Sequence, residues 1–364
     1  MKWSGKHFHF IRSSILKTTA LAFVILCILV TTVGQSGNAE SSKEMLYIGG
    51  LDVTFAVDPE MKKVTEIPIK GPNRDMTWTK DGRTLYINSE GRTKVAVVDT
   101  TKNEVIDTLT FSTDEYTARI YGMAIDHNGE KLYATLMRSK VEGTELKALD
   151  PVIQVMDVKS KKVIKEINVP WGTHSLQFFK DGKRILVWAK DIYVYDIEKD
   201  ELTLHTPVMS ADPKDGIGNY LYFWVRGEDN HNVALATNYQ LYPESGQVTE
   251  GIILFDLEKG EYREVEFKDT IGLFSGTMTK DRKTAYVGMN FIAKANLETG
   301  EYEKVVPNVP GTSYGFNLSG DEKTLYASGA GPDLSFYDAE TLELKETIQL
   351  STDTMDVRVI QIQQ

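Results

Sequence analysis

The stretch MTWTKDGRTLYINSEGRTKVAVVDTTKNEVIDTLTF (76–111) holds one complete structural unit. Its apolar opening runs into Lys80-Asp81-Gly82, and an Asp-Gly pair supplies the positive φ that a tight hairpin needs. LYI (85–87) follows, then AVVD ending on Asp99, then VIDTLTF (105–111). The last piece alternates apolar and polar residues, as half-buried antiparallel strands do.

Working outward, the same unit recurs along the chain. The LYI-like strands lie at 46–48, 85–87, 132–134, 185–187, 233–235, 285–287 and 325–327. The following strands end at Asp58, Asp99, Asp157, Asp196, Asp256, Asn296 and Asp338. Opening strands are expected at MTWTKDG (76–82), MAIDHNG (123–129), LQFFKDG (176–182), YFWVRGED (222–229), GTMTKDR (276–282) and FNLSGDE (316–322). A repeat of about 40–50 residues made of strands and turns is the signature of propeller blades. The first unit lacks its opening strand, and MDVRVIQI (355–362) follows the last one. The expected fold is therefore an all-β, seven-bladed β-propeller, closed by the C-terminal strand pairing into the N-terminal blade.

Successive acidic turns are 41, 58, 39, 60, 40 and 42 residues apart. The extra length falls at MRSKVEGTELKALDP (137–151) and TNYQLYPESGQVTEG (237–251), both between the second and third strands of a unit. FSTDEYTARIYG (111–122) and LHTPVMSADPKDGIGNY (204–220) are long connections into the next unit. All four are read as loops on one face of the ring. Such loops are either tolerated insertions or the place where partners bind.

Residues 1–17 carry Lys2, Lys6, Arg12 and Lys17 and no acid. Residues 18–33 are apolar and uncharged, and Gly37 and Ala39 stand at −3 and −1 of a cleavage site. This is the layout of a secretory signal over residues 1–39, with the propeller domain over 40–364 and an exported, periplasmic or extracytoplasmic destination. An uncleaved membrane anchor is the other reading. Past residue 39 there are 37 Lys and Arg against 52 Asp and Glu, a net charge of −15 that disfavours nucleic acid. The one cysteine, Cys27, lies in the leader, so the remainder has no thiolate for a disulfide, a metal or a haem attachment.

No nucleophile elbow, phosphate loop or metal-ligand spacing occurs. His127, His174, His205 and His231 are dispersed. The repeated Asp residues are read as turn caps rather than acid–base pairs. No catalytic, cofactor-binding or metal residue is expected. Aromatic side chains in the face loops and insertions are the candidate subunit-interface residues: Trp171, His174, Tyr116, Tyr121, Phe274, Tyr314, Tyr239 and Tyr242. Ordinary packing at the channel mouth explains the same residues equally well. Arg74 and Asp75 precede the opening strand of the second blade.

Three segments carry a resemblance: DIYVYDIEKDEL (191–202), GIILFDLEKGEYREVEF (251–267), and NLSGDEKTLYASGAGPDLSFYDAETLELKETIQL (317–350). They resemble the β subunit of quinohemoprotein amine dehydrogenase, and the two insertions fall in the same blades. The resemblance implies a cofactor-free propeller subunit. Its partners would be a dihaem cytochrome c α subunit and a small γ subunit bearing cysteine tryptophylquinone. Together such a complex oxidises primary amines and passes electrons on. The alternative is a stand-alone exported propeller, acting as a ligand-binding module or a lactonase-like hydrolase.

Overall fold

Ten residues at the C-terminal end, Thr354–Gln363, pair antiparallel with Ser42–Gly50 at the start, from Ser42 opposite Gln363 to Gly50 opposite Thr354. The computed structural model describes residues 42–220, 232–307, 309 and 315–364. Among these residues the strands form seven four-stranded antiparallel sheets. Blade 1 is Thr354–Gln363, Ser42–Gly50, Thr54–Asp58 and Lys63–Ile67, in that spatial order. Blades 2 to 7 follow in chain order, each with strands a to d from the channel outward. The seven-bladed ring and its closure are as the repeats predict. The leader, the strand expected at 222–229, His231 and Tyr314 lie outside the described residues.

The core is not one mass but seven slabs, one between each pair of adjacent blades. Met45, Tyr47, Ile67, Leu85 and Val98 join blades 1 and 2. Leu46, Phe55, Tyr326, Phe336 and Val357 join blades 7 and 1 in the same manner. Each fully buried Leu, Ile, Val or Phe contributes about 1.5–3 kcal/mol by leaving water, so the ring stands on the interblade slabs. The tyrosines of the LYI-like strands add polar clamps. Tyr47 donates to Asn103 Oδ1 at 2.6 Å in blade 2, and Tyr286 to the Ala339 carbonyl at 2.9 Å in blade 7.

The acidic turns are caps, as expected. Asp58, Asp99, Asp157, Asp196, Asp256, Asn296 and Asp338 each accept a backbone N–H from two or three residues ahead. In all seven turns the residue four places on is left-handed: Lys62, Asn103, Lys161, Asp200, Gly260, Gly300 and Leu342. Only two of these are glycines, so the side-chain cap, not glycine, is what the seven turns share.

The insertions correct the expectation of loops. In blade 3, Lys131–Glu142 and Glu145–Asp157 form one long hairpin, turning at Gly143, with a register shift between Leu149 and Val152. In blade 5, Val233–Tyr242 and Gln247–Asp256 form an unbroken hairpin ladder, turning at Gly246. The lengthened second strand offers extra backbone donors and acceptors. The segment before each blade pairs with them: Thr117–Ile120 with Leu136–Ser139, and Ile217–Tyr220 with Asn238–Leu241. Part of 111–122 and of 204–220 is thus strand rather than loop. Insertion and long connection are one three-stranded ribbon in each blade.

Candidate functional site

Register identifies the mouth of the channel on the ribbon face. Met76, Met123, Leu176, Gly276, Phe316 and Val357 pair with the third residue of six of the seven LYI-like strands. Two residues earlier in each strand a stand Arg74, Tyr121, His174, Phe274 and Met355; Tyr314 holds the same sequence position. Three candidate residues, Tyr121, His174 and Phe274, therefore occupy equivalent places around one opening. Trp171, Tyr116, Tyr239 and Tyr242 do not join them.

The mouth is charged on the side of blades 1 and 2. Asn88 at the end of a strand b accepts the N–H groups of both Arg74 and Asp75 through Oδ1, at 3.2 Å each, and donates to Asp75 Oδ2 at 2.8 Å. Arg74 Nε lies 3.7 Å from Asp75, and Arg358 Nε lies 3.1 Å from Asp356, which is 1% exposed. Arg74 also feels Arg92 and Asp356. The Arg92 guanidinium sits 4.6 Å from the centre of the Tyr121 ring, within cation–π range. Three guanidiniums meet two carboxylates here, a local positive excess among the described residues of an acidic chain. In the sequence, Asp356 and Arg358 belong only to a closing strand. Their signal was there, as two ionisable residues inside the otherwise apolar MDVRVIQI.

His174 is 5% exposed and lies against Tyr220, ring centres 5.7 Å apart. Its Nδ1–H donates to the Gly172 carbonyl at 2.9 Å, which makes Nε2 the acceptor nitrogen. Burial first, and then the Arg74 guanidinium, push the imidazole down to about 4, so it is neutral at neutral pH. Its backbone is packed as tightly: a Cβ on Gly122 of blade 3 would stand 2.5 Å from the His174 carbonyl oxygen. The residue at 122 is glycine because the two blades touch there.

The remaining candidates sit on the ribbons or their approaches. Tyr116 accepts from Gln154 Nε2 at 2.8 Å, under the Arg138 guanidinium at 5.2 Å. Tyr239 donates to the Leu273 carbonyl at 2.6 Å, and Tyr242 to Glu266 at 3.2 Å. Trp171 is half exposed in the connection into blade 4. The decisive residue of the blade 5 ribbon is Glu250, inside the segment whose sequence reads as loop. Though only 1% exposed, its carboxylate accepts the N–H groups of Ile271, Gly272 and Leu273 and the Tyr302 hydroxyl.

Each ribbon carries an exposed aliphatic rung. Val141 pairs across the hairpin with Leu146, at 73% and 75% exposure, and Leu241 with Val248, at 43% and 49%. In blade 3 the flanking rungs are Lys140 with Lys147 and Glu142 with Glu145, on the opposite ribbon face. No group of three or more His, Cys, Asp or Glu among the described residues is placed to hold a metal ion.

No family model matches the chain, and no curated protein does. Solved structures do. A hydrazine synthase chain from Kuenenia stuttgartiensis superposes with a TM-score of 0.56 at 16% identity, over 83% of this chain and 90% of that one. A dihydro-heme d1 dehydrogenase, NirN, gives 0.54 at 13% identity, over 86% and 74%. A protein of unknown function from Desulfotomaculum acetoxidans gives 0.61 at 12% identity, over 88% and 99%. At these identities the likeness is one of fold: the chain shares the propeller.

Proposed function

We propose that this chain is a noncatalytic propeller subunit of an exported, haem-containing oxidoreductase complex of the quinohemoprotein amine dehydrogenase type. The ribbon face would be the dock for its partners. The observation that carries the reading is the pair of ribbons in blades 3 and 5. Both present a cross-strand pair of aliphatic side chains to solvent at the end of a projecting hairpin, and the pair Val141 and Leu146 is the most exposed of the large apolar side chains among the described residues. Exposed apolar rungs on rigid strands are what an interface core uses. The resemblance at 191–202, 251–267 and 317–350 supports the same reading, as does a structural neighbour whose name is that of a haem dehydrogenase. On this reading the quinone and haems belong to the partners, and the chain contributes a wall and a scaffold.

The test is co-purification of the tagged chain from the exported fraction of its native host. Stoichiometric elution with a haem-absorbing chain and a small internally cross-linked chain is expected, together with amine-dependent reduction of an artificial acceptor. The double variant Val141→Ser with Leu146→Ser should elute without them. A colourless monomer from the native host would overturn the proposal and favour a stand-alone ligand-binding propeller.

A further inference from the structure

The other end of the channel holds a second site, built by the same repeat. Two residues beyond the Met76 position, in the six blades where the described residues reach it, stand Trp78, Ile125, Phe178, Met278, Leu318 and Val359, apolar side chains at equivalent places. Two residues further on stand Lys80, His127, Lys180, Lys280, Gly320 and Gln361. An apolar bowl thus lies inside a collar with three lysines.

Two cavities open there, of about 390 and 580 Å³, and they share Trp78 and Lys80. The first reaches Phe178, His127 and Lys180; the second reaches Met278, Leu318 and Lys280. These volumes are in the range of small-molecule sites. The carboxylates on the rim are already engaged. Asp126 accepts the N–H groups of Glu130 and Lys131, and Glu44 accepts from the Gly320 N–H, Tyr326 and Gln361. Asp321 accepts from Ser319 and the Lys323 N–H. Lys180 pairs with Glu258 at 2.9 Å, and Lys280 donates to the Gly320 carbonyl. Lys80, at the junction of both cavities, has no ion-pair partner among the described residues.

We infer that this vestibule binds a small organic anion with an apolar body and a carboxylate head, the body against Trp78 and Phe178 and the head on Lys80. An aromatic wall beside an uncommitted ammonium selects that shape. A neutral analogue would lose the ion pair, and an inorganic anion would leave the bowl wet. The inference concerns the face opposite the ribbons and stands apart from the proposed function.

Calorimetric titration of the isolated chain with phenylacetate, 3-phenylpropionate and hexanoate tests it, with phenylacetamide as the neutral control. At least one carboxylate should saturate with a dissociation constant below about 1 mM, and the amide should bind at least tenfold more weakly. Lys80→Gln removes an exposed side chain that the fold does not use and should weaken binding about fivefold, the worth of one charge at close range in a half-open site. Trp78 emission should shift on saturation. Lys162→Gln, on an outer strand, should change nothing. No saturation below about 10 mM, equal binding of the amide, or an unmoved Lys80→Gln would each overturn the inference.

Discussion

The ribbons of blades 3 and 5 are alike in sequence length and in hairpin form, and they are held in opposite ways. The blade 5 ribbon is tied to blade 6 by a buried carboxylate: Glu250 gathers three backbone N–H groups of 271–273 and the Tyr302 hydroxyl, while Tyr239 ties to the Leu273 carbonyl. The blade 3 ribbon makes surface ion pairs toward its tip, Lys140 and Lys147 both reaching Glu142. Its root is braced by Arg138 to Glu166 at 3.1 Å. Like charges face each other across two of its rungs, which costs stability. An insertion of given length is therefore rigid or loose according to whether it brings a buried acceptor with it. One ribbon is built as part of the fold, and the other as something the fold displays.

That contrast is measurable by urea unfolding, because the same kind of substitution should behave differently in the two ribbons. Glu250→Ala leaves three backbone N–H groups unmatched, the one at Leu273 buried, and should cost about 3–4 kcal/mol, the sum of charge-assisted bonds lost and donors stranded. A cost under about 1 kcal/mol would mean that the carboxylate does not anchor the ribbon. Tyr302→Phe removes one donor to that carboxylate and should cost about 1–2 kcal/mol. Glu166→Gln, at the root of the blade 3 ribbon, removes the charge that pairs with the largely buried Arg138 and should cost about 1 kcal/mol.

Blade 5 should also respond to pH. Glu264 is half buried, and burial, with Glu266 nearby, raises its pKa above the usual 4.5; bonds from Tyr262 and Asn238 oppose this. A carboxyl whose folded pKa is raised favours folding while protonated, so its contribution is present below 4.5 and is lost as pH rises through the folded value. Against the wild-type chain, Glu264→Gln should gain stability between pH 4 and pH 8, by under about 1 kcal/mol after allowing for solvent screening. A gap unchanged with pH would remove Glu264 as the titrating group. Smallest of all, Val141→Ser with Leu146→Ser should move stability by no more than about 0.5 kcal/mol, while abolishing partner docking. A large loss of stability would make the blade 3 tip structural after all.

The ring, its closure and the role of the seven acidic turns were legible because each rests on local chemistry repeated seven times. The mouth was legible in part, since Tyr121, His174 and Phe274 share a position that register alone defines. The ribbons were misread because TKDG-type turns announce themselves, whereas MRSKVEGTELKALDP mixes charge into a strand that finds its partners only once the hairpin exists. Glu250 escaped for the same reason: nothing in GQVTEGI tells a surface glutamate from one surrounded by backbone N–H groups contributed by residues 271–273. The vestibule escaped because its apolar ring doubles as interblade packing and its lysines double as turn residues.

The pairing of Ser42 with Gln363 makes the ring a clasp, and a clasp has a time order. The strand at 42–50 is made first and must wait for its inner neighbour at 354–363 until the whole chain exists. Closing so long a loop costs little more free energy than a shorter one, but it is a non-local step and a slow one. Until then, the inner edge of Met45–Ile48 stays unpaired, a ready template for another copy of the chain. A chain ending before Thr354 would keep that edge for good, and should be found in aggregates rather than as a monomer with a three-stranded first blade.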